Sequence, residues 1–156
     1  MDLTFKTSNG RFNYRVGAII IYNNSILMVK NNKSPYYYSV GGRVHLNETS
    51  EDAIRREVFE EVGLHLDIDR LAFIHENLFI EDVTKERFHE ISFYYIMKTT
   101  SNLDTICMSF DENGNKENLV WISLDNIQNE YLYPEFFKTE LKNLSNGLKQ
   151  ILTKNF

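Results

Sequence analysis

The chain has 156 residues, of which 42% are hydrophobic, 25% charged and 13% aromatic, with a formal net charge of −5. That mixture belongs to a globular chain of about one domain and excludes disordered, low-complexity and collagen-like classes. The single cysteine, Cys107, excludes an intramolecular disulfide, and the acidic balance argues against general nucleic-acid binding.

In chain order, Val16 to Tyr22 is β-branched and apolar and predicts a buried strand. Asn23-Asn24-Ser25 is a turn, and Ile26 to Lys30 returns as the second strand of a hairpin. Asn31 to Pro35 is a loop, and Tyr36 to Val40 is a short aromatic strand that runs into Gly41-Gly42. A helix starts at Thr49 or Ser50 and runs to about Val62. Thr49 with Asp52 three residues on resembles a capping box, and Gly63 suits the left-handed exit residue. His65 to Phe79 reads as strand. Ile91, Phe93, Tyr95 and Met97 alternate through a central strand that is apolar on both faces. Ser101 to Asn118 reads as a loop or hairpin end, and Leu119 to Ile122 as a further strand. Pro134 suits the first position of a helix, and Phe137, Leu141, Leu144, Leu148, Ile151 and Leu152 keep helical spacing to the end.

Strands with interspersed helices predict an α/β chain with a mixed sheet. No repeat or Pro/Ser/Gly linker interrupts it, so residues 1–156 read as one domain. The longest apolar run is far too short to span a bilayer, and MDLTFKTSNGR lacks the apolar stretch of an export signal. The expected location is the cytoplasm, with no membrane contact.

Chemistry concentrates in Gly42 to Leu64, GRVHLNETSEDAIRREVFEEVGL. Residues on a helix advance by about 100°. With Ala53 at zero, Ile54, Val58 and Val62 fall at about 100°, 140° and 180° and form one apolar face. Glu57, Glu60 and Glu61 fall at about 40°, 340° and 80°, on an adjacent arc. Carboxylates so crowded repel one another, so the face is either well solvated or bridged by a divalent cation. An oxygen-only set suits Mg²⁺ or Mn²⁺.

Gly42, Glu48 and the run Arg56-Glu57-Val58-Phe59-Glu60-Glu61-Val62-Gly63-Leu64 match every defined position of G-x5-E-x7-R-E-U-x-E-E-x-G-U, where U is aliphatic. At average residue usage such a match in one register has a chance on the order of 10⁻⁹. In these residues the chain resembles the Nudix hydrolases. The resemblance implies an α/β/α sandwich around a mixed sheet, Mg²⁺ dependence, and hydrolysis of a nucleoside diphosphate linked to another group. One departure is Val40-Gly41-Gly42, where many members have Pro-Gly-Gly.

The resemblance also implies roles. Glu57, Glu60 and Glu61, with the Gly41 carbonyl, would hold Mg²⁺, with Mn²⁺ as a possible substitute. Glu57 is the first choice of general base and Glu60 the next. Glu90, at the head of the strand from Ile91, is a further carboxylate within reach of the cluster, and Glu112 and Glu117 are weaker candidates. Arg56 would orient a neighbouring glutamate. Arg43 would contact phosphate, while Tyr36 and Tyr38 are candidates to stack on a base, though core packing competes for them. Glu48 would brace the loop into the helix.

No P-loop, HExxH or GxSxG motif is present. The region Leu78 to Glu81 has neither the proline nor the tyrosine that marks some subgroups. The expected partner is a small nucleotide substrate, such as a nucleoside triphosphate or a nucleotide sugar, acted on by a monomer or homodimer. The alternatives are a catalytically silent nucleotide sensor and an isoprenoid-type isomerase, the latter needing Cys107.

Overall fold

The computed structural model describes residues 1–99, Leu103 and 117–156. The alternation seen in the sequence sets its centre. Strand β2 (Gly10–Ile19) sends Tyr14, Val16 and Ala18 to one face and Ile19 to the other. Ahead of it, β1 (Thr4–Thr7) folds back antiparallel on β2, a hairpin the sequence reading did not include.

Strand β3 (Ile21–Tyr22) turns into β4 (Ser25–Asn31) through Asn23 and Asn24, with φ of 50° and 59°. A two-residue loop with both residues in the left-handed region matches the twist of its flanking strands, and asparagine tolerates that region. Strand β5 (Tyr37–Arg43) lies antiparallel to both β2 and β4 and places Gly41 opposite Gly17 and Gly42 opposite Val16.

Helix α1 (Ser50–Val62) begins where the Thr49 hydroxyl accepts the Asp52 amide at 3.1 Å. It stops at Gly63, whose φ of 80° is left-handed and whose N–H reaches the Phe59 carbonyl at 2.9 Å. Both ends follow the sequence reading. Strands β6 (Ile68–Ile80) and β7 (Arg87–Met97) form a long antiparallel hairpin, and β7 runs parallel to β2. Strand β8 (Glu117–Ser123) pairs antiparallel with β4, and β9 (Leu132–Tyr133) pairs parallel with β5.

Among the described residues the main path of the mixed sheet is β6-β7-β2-β5-β4-β3, with β1, β8 and β9 attached at its sides. One face is covered by α1, which buries Ala53, Ile54 and Val58 against Val16, Ala18, Val40 and Tyr95. The other face carries Ile127, Leu132, Phe137 and Leu141 from short helical turns and β9, packed on Ile19, Ile26, Met28 and Phe73. Layers of helix, sheet and helix are therefore present, the second helical layer being slight.

The C-terminal segment differs from its sequence reading. Only α2 (Phe137–Glu140) is α-helical, followed by one tight turn at Leu141–Asn143. Helix α2 starts three residues after Pro134, which follows a cis peptide bond at Tyr133. Strand β10 (Lys149–Lys154) then pairs parallel with the outer edge of β6, with Ile151 beside His75. Ser145-Asn146-Gly147 interrupts the helical spacing. The open edge of β6 offers backbone hydrogen bonds that a helix there would leave unmade. Most of the Ser101–Asn118 reading, with Cys107 and Glu112, lies outside the described residues, as does the Glu117 side chain.

Candidate active site

The loop from β5 into α1 is organised by Arg56. Its Nε and Nη2 donate to the two oxygens of Glu48 at 2.7 and 2.9 Å. Its Nη1 donates to Glu57 at 2.8 Å and to Glu60 at 3.3 Å, and Nη2 also reaches the Arg43 carbonyl at 3.1 Å. Glu48 in turn accepts the His45 amide at 2.9 Å. Charge-assisted, two-point pairing of this kind is among the stronger polar contacts a fold can make. The Arg56 guanidinium, helped by the His45 amide and opposed by burial, holds the Glu48 carboxyl down at about 2. Arg56 is pushed upward, by Glu48 first and Glu57 next, against burial.

The two glycines shape the other wall. The Gly41 amide donates to Glu61 at 3.1 Å. A side chain at Gly41 would meet the Val16 carbonyl oxygen at 2.1 Å, and its φ of 151° is one that L residues rarely adopt. At Gly42 a Cβ would lie 2.4 to 2.6 Å from the atoms of the Glu57 carboxylate. The backbone is bare where Glu57 comes down on it.

Glu57 and Glu61 thus converge on the glycine turn from one helix, while Glu60 is more exposed and leans to Arg56. The donor set is all oxygen, three carboxylates with main-chain groups beside them, and it fits a hard divalent cation. Among the described residues no three His, Cys, Asp or Glu side chains are already gathered at coordination distance. The reason is visible: Arg56 draws Glu57 and Glu60 to itself, and the Gly41 amide engages Glu61. The contact that Gly41 makes with this group is through its N–H.

Glu90 lies on β7 and is buried. Its Oε2 accepts from the Asn13 amide group at 3.2 Å and its Oε1 from the Ser92 hydroxyl at 3.4 Å. Arg43 turns its side chain to Asp2 at 3.6 Å. Tyr36 belongs to a cluster of tyrosine rings. Its hydroxyl donates to Glu81 at 3.0 Å, and its ring meets those of Tyr131 and Tyr133 at 5.5 and 5.0 Å. Both of those tyrosines donate to Asp82, Tyr133 at 2.8 Å. Burial, then Asp82, pushes the Tyr133 phenol well up. Tyr38 packs against the core under α1, and its hydroxyl accepts from Asn31 at 3.2 Å.

Sequence reasoning did not single out Asn13, Arg15, Tyr131, Tyr133 or Asp82. The Tyr-Leu-Tyr alternation at 131–133 is the local signal that puts two rings on one side of a strand. Nothing local marks Asn13 or Arg15.

A mixed sheet, a glycine turn and a capped helix bearing converging glutamates define a class of hydrolase fold. The family model described as NUDIX domain matches residues 11–140, and the chain belongs to the Nudix family, which places it among hydrolases. Solved structures agree in fold. A MutT protein from Bacillus halodurans is 14% identical with a TM-score of 0.62, over 88% of this chain and 86% of that one. An ADP-ribose pyrophosphatase from Streptococcus suis is 18% identical with a TM-score of 0.56, over 90% and 98%. A UDP-X diphosphatase is 18% identical with a TM-score of 0.52, over 72% and 51%. No curated protein sequence matches significantly. Among the described residues no helix is long and apolar enough to cross a membrane.

Proposed function

We propose that this protein is a Mg²⁺-dependent pyrophosphohydrolase that cleaves a nucleoside diphosphate linked to another group. The complete signature, carried on one loop and helix with Glu57 and Glu61 against Gly41 and Gly42, supports this reading above all else. Two of the fold neighbours bear names for substrates of that class, ADP-ribose and UDP-X.

Glu57, Glu60 and Glu61, with the Gly41 carbonyl, would hold the cation. Such an ion supplies charge neutralisation at phosphate oxygens and a more acidic bound water. Arg56 keeps Glu57 and Glu60 aimed, and Glu48 keeps Arg56 in place. A water attacks one phosphorus, the bond from that phosphorus to the bridging oxygen breaks, and the water proton passes to a carboxylate. Glu57 is the first candidate for that proton because it is held both by Arg56 and against Gly42, with Glu60 next. Glu90 is a second possible acceptor, fixed by Asn13 and Ser92. Arg43 would turn from Asp2 to phosphate. Tyr36, within its tyrosine cluster, would offer a ring to the base, as would Tyr38 if it left the core.

The test is a phosphate-release screen of purified protein with Mg²⁺ or Mn²⁺, coupled to a phosphatase. It spans nucleoside triphosphates, nucleotide sugars, ADP-ribose, dinucleoside polyphosphates and capped RNA. A strong hit that EDTA abolishes and Mg²⁺ restores bears the reading out. Nucleotide binding without turnover across the panel would replace it with a sensor.

A further inference from the structure

Arg15 stands on β2 with the side-chain alternation of Asn13 and Gly17. Asn13 donates to Glu90 on that face, and the Gly17 position is closed by the Tyr94 ring, 2.4 Å from where a Cβ would stand. Across the strand pairs Arg15 faces Ser92 on β7 and Arg43 on β5. Two residues along β5 from Arg43 lies Gly41, whose amide holds Glu61. Arg15 therefore shares its sheet face with Glu90 and lies two residues from Gly17, the strand partner of Gly41, whose amide holds Glu61.

Its hydrogen bonding is the informative part. Among the described residues no ion pair within 4.0 Å and no hydrogen bond engages the Arg15 guanidinium, although the residue is half-buried. Arg56, in the same molecule, makes five hydrogen bonds. A guanidinium that served only to neutralise Glu90 would close on it, as Arg56 closes on Glu48. Burial pulls the Arg15 pKa down, yet Glu90, Tyr94, Glu61 and Glu57 together carry it up. The cation is held in place through space while its five N–H donors stay uncommitted. Arg43, the like charge directly opposite, is drawn off to Asp2.

We propose that Arg15, on the sheet face of Glu90 and close to the glycine turn that holds Glu61, is the guanidinium that grips a phosphate of the substrate. This rests on the diphosphate-hydrolase reading and adds a residue to it. A planar fork of donors matches two oxygens of one phosphate, which an ammonium cannot do. When the bridging bond breaks, the electron pair stays on the departing phosphate oxygen, and a guanidinium beside it stabilises that charge.

The experiment compares wild type, Arg15→Gln and Arg15→Lys. The probe is the α,β-methylene analogue of ADP, which cannot be cleaved at that bond, titrated by calorimetry in the presence of Mg²⁺. Thermal melting of each unliganded protein is recorded alongside. Loss of a charged hydrogen bond predicts binding about 10- to 100-fold weaker in Arg15→Gln, with Arg15→Lys between it and wild type. A folded Arg15→Gln that binds the probe within about two-fold of wild type overturns the proposal, and a lowered melting temperature with unchanged binding identifies a charge-balancing role instead. Should Arg15→Gln not fold, Arg15→Lys decides, because equal binding there overturns the two-point grip. Wild type that binds the probe through Arg15 yet hydrolyses nothing in the screen leaves this assignment standing while the hydrolase reading fails. Wild type that does not bind the probe overturns the assignment.

Discussion

Arg56 holds Glu48 by two parallel hydrogen bonds, 2.7 Å from Nε and 2.9 Å from Nη2, across the loop that leads into α1. The same guanidinium reaches Glu57 and Glu60, so the loop and the helix face are one polar unit. Arg56→Lys keeps the charge and loses the fork. The expected outcome is a drop in kcat/KM of at least about ten-fold, with the melting temperature lowered by a few degrees. Steady-state kinetics and calorimetric melting check it.

The carboxylates themselves give a second prediction. Glu57→Gln and Glu61→Gln are each expected to lower kcat by at least about 10²-fold, because they remove a proposed ligand and not core packing. Circular dichroism should show both variants folded. Double-digit percentage activity in both would refute the metal assignment.

The adjacent glycines should fail differently. At Gly42 a methyl group meets only the end of the Glu57 side chain, so Gly42→Ala should fold and lose activity as the carboxylate is displaced. At Gly41 the methyl group meets the Val16 carbonyl, and the backbone conformation itself is unfavourable for alanine. Gly41→Ala is expected to cost on the order of 3 kcal/mol or more of stability. Urea unfolding of the two variants separates the cases.

Acid should weaken the fold in two stages. Burial holds the His75 imidazole down at about 4, against an ordinary 6.5. Below pH 6.5 the unfolded chain takes up a proton that the folded chain refuses, so stability present above 6.5 is lost as pH falls through 4. Glu48, with a folded value of about 2 against 4.5, contributes stability above 4.5 that is lost as pH falls through 2. Each stage is worth up to about 3 kcal/mol. Urea midpoints between pH 7 and 3 should fall in both windows, and His75→Gln should flatten the upper one.

The parts legible from sequence are those whose causes are short in range. The caps at Thr49 and Gly63, the buried stripe of Ala53, Ile54 and Val58, and the arc of Glu57, Glu60 and Glu61 all lie within about four turns of one helix. The Asn23-Asn24 hairpin is local in the same sense. Tertiary structure decided what depends on strand register. Asn13 meets Glu90 across 77 residues only because β2 and β7 run parallel in that register, and a slip of one residue would turn Arg15 to the opposite face. The C-terminal apolar residues show the same limit. Their spacing suited a helix, but Ser145-Asn146-Gly147 broke it and the vacant edge of β6 took Lys149–Lys154 as a strand. Backbone hydrogen bonds waiting at a sheet edge are not written in the segment that comes to satisfy them.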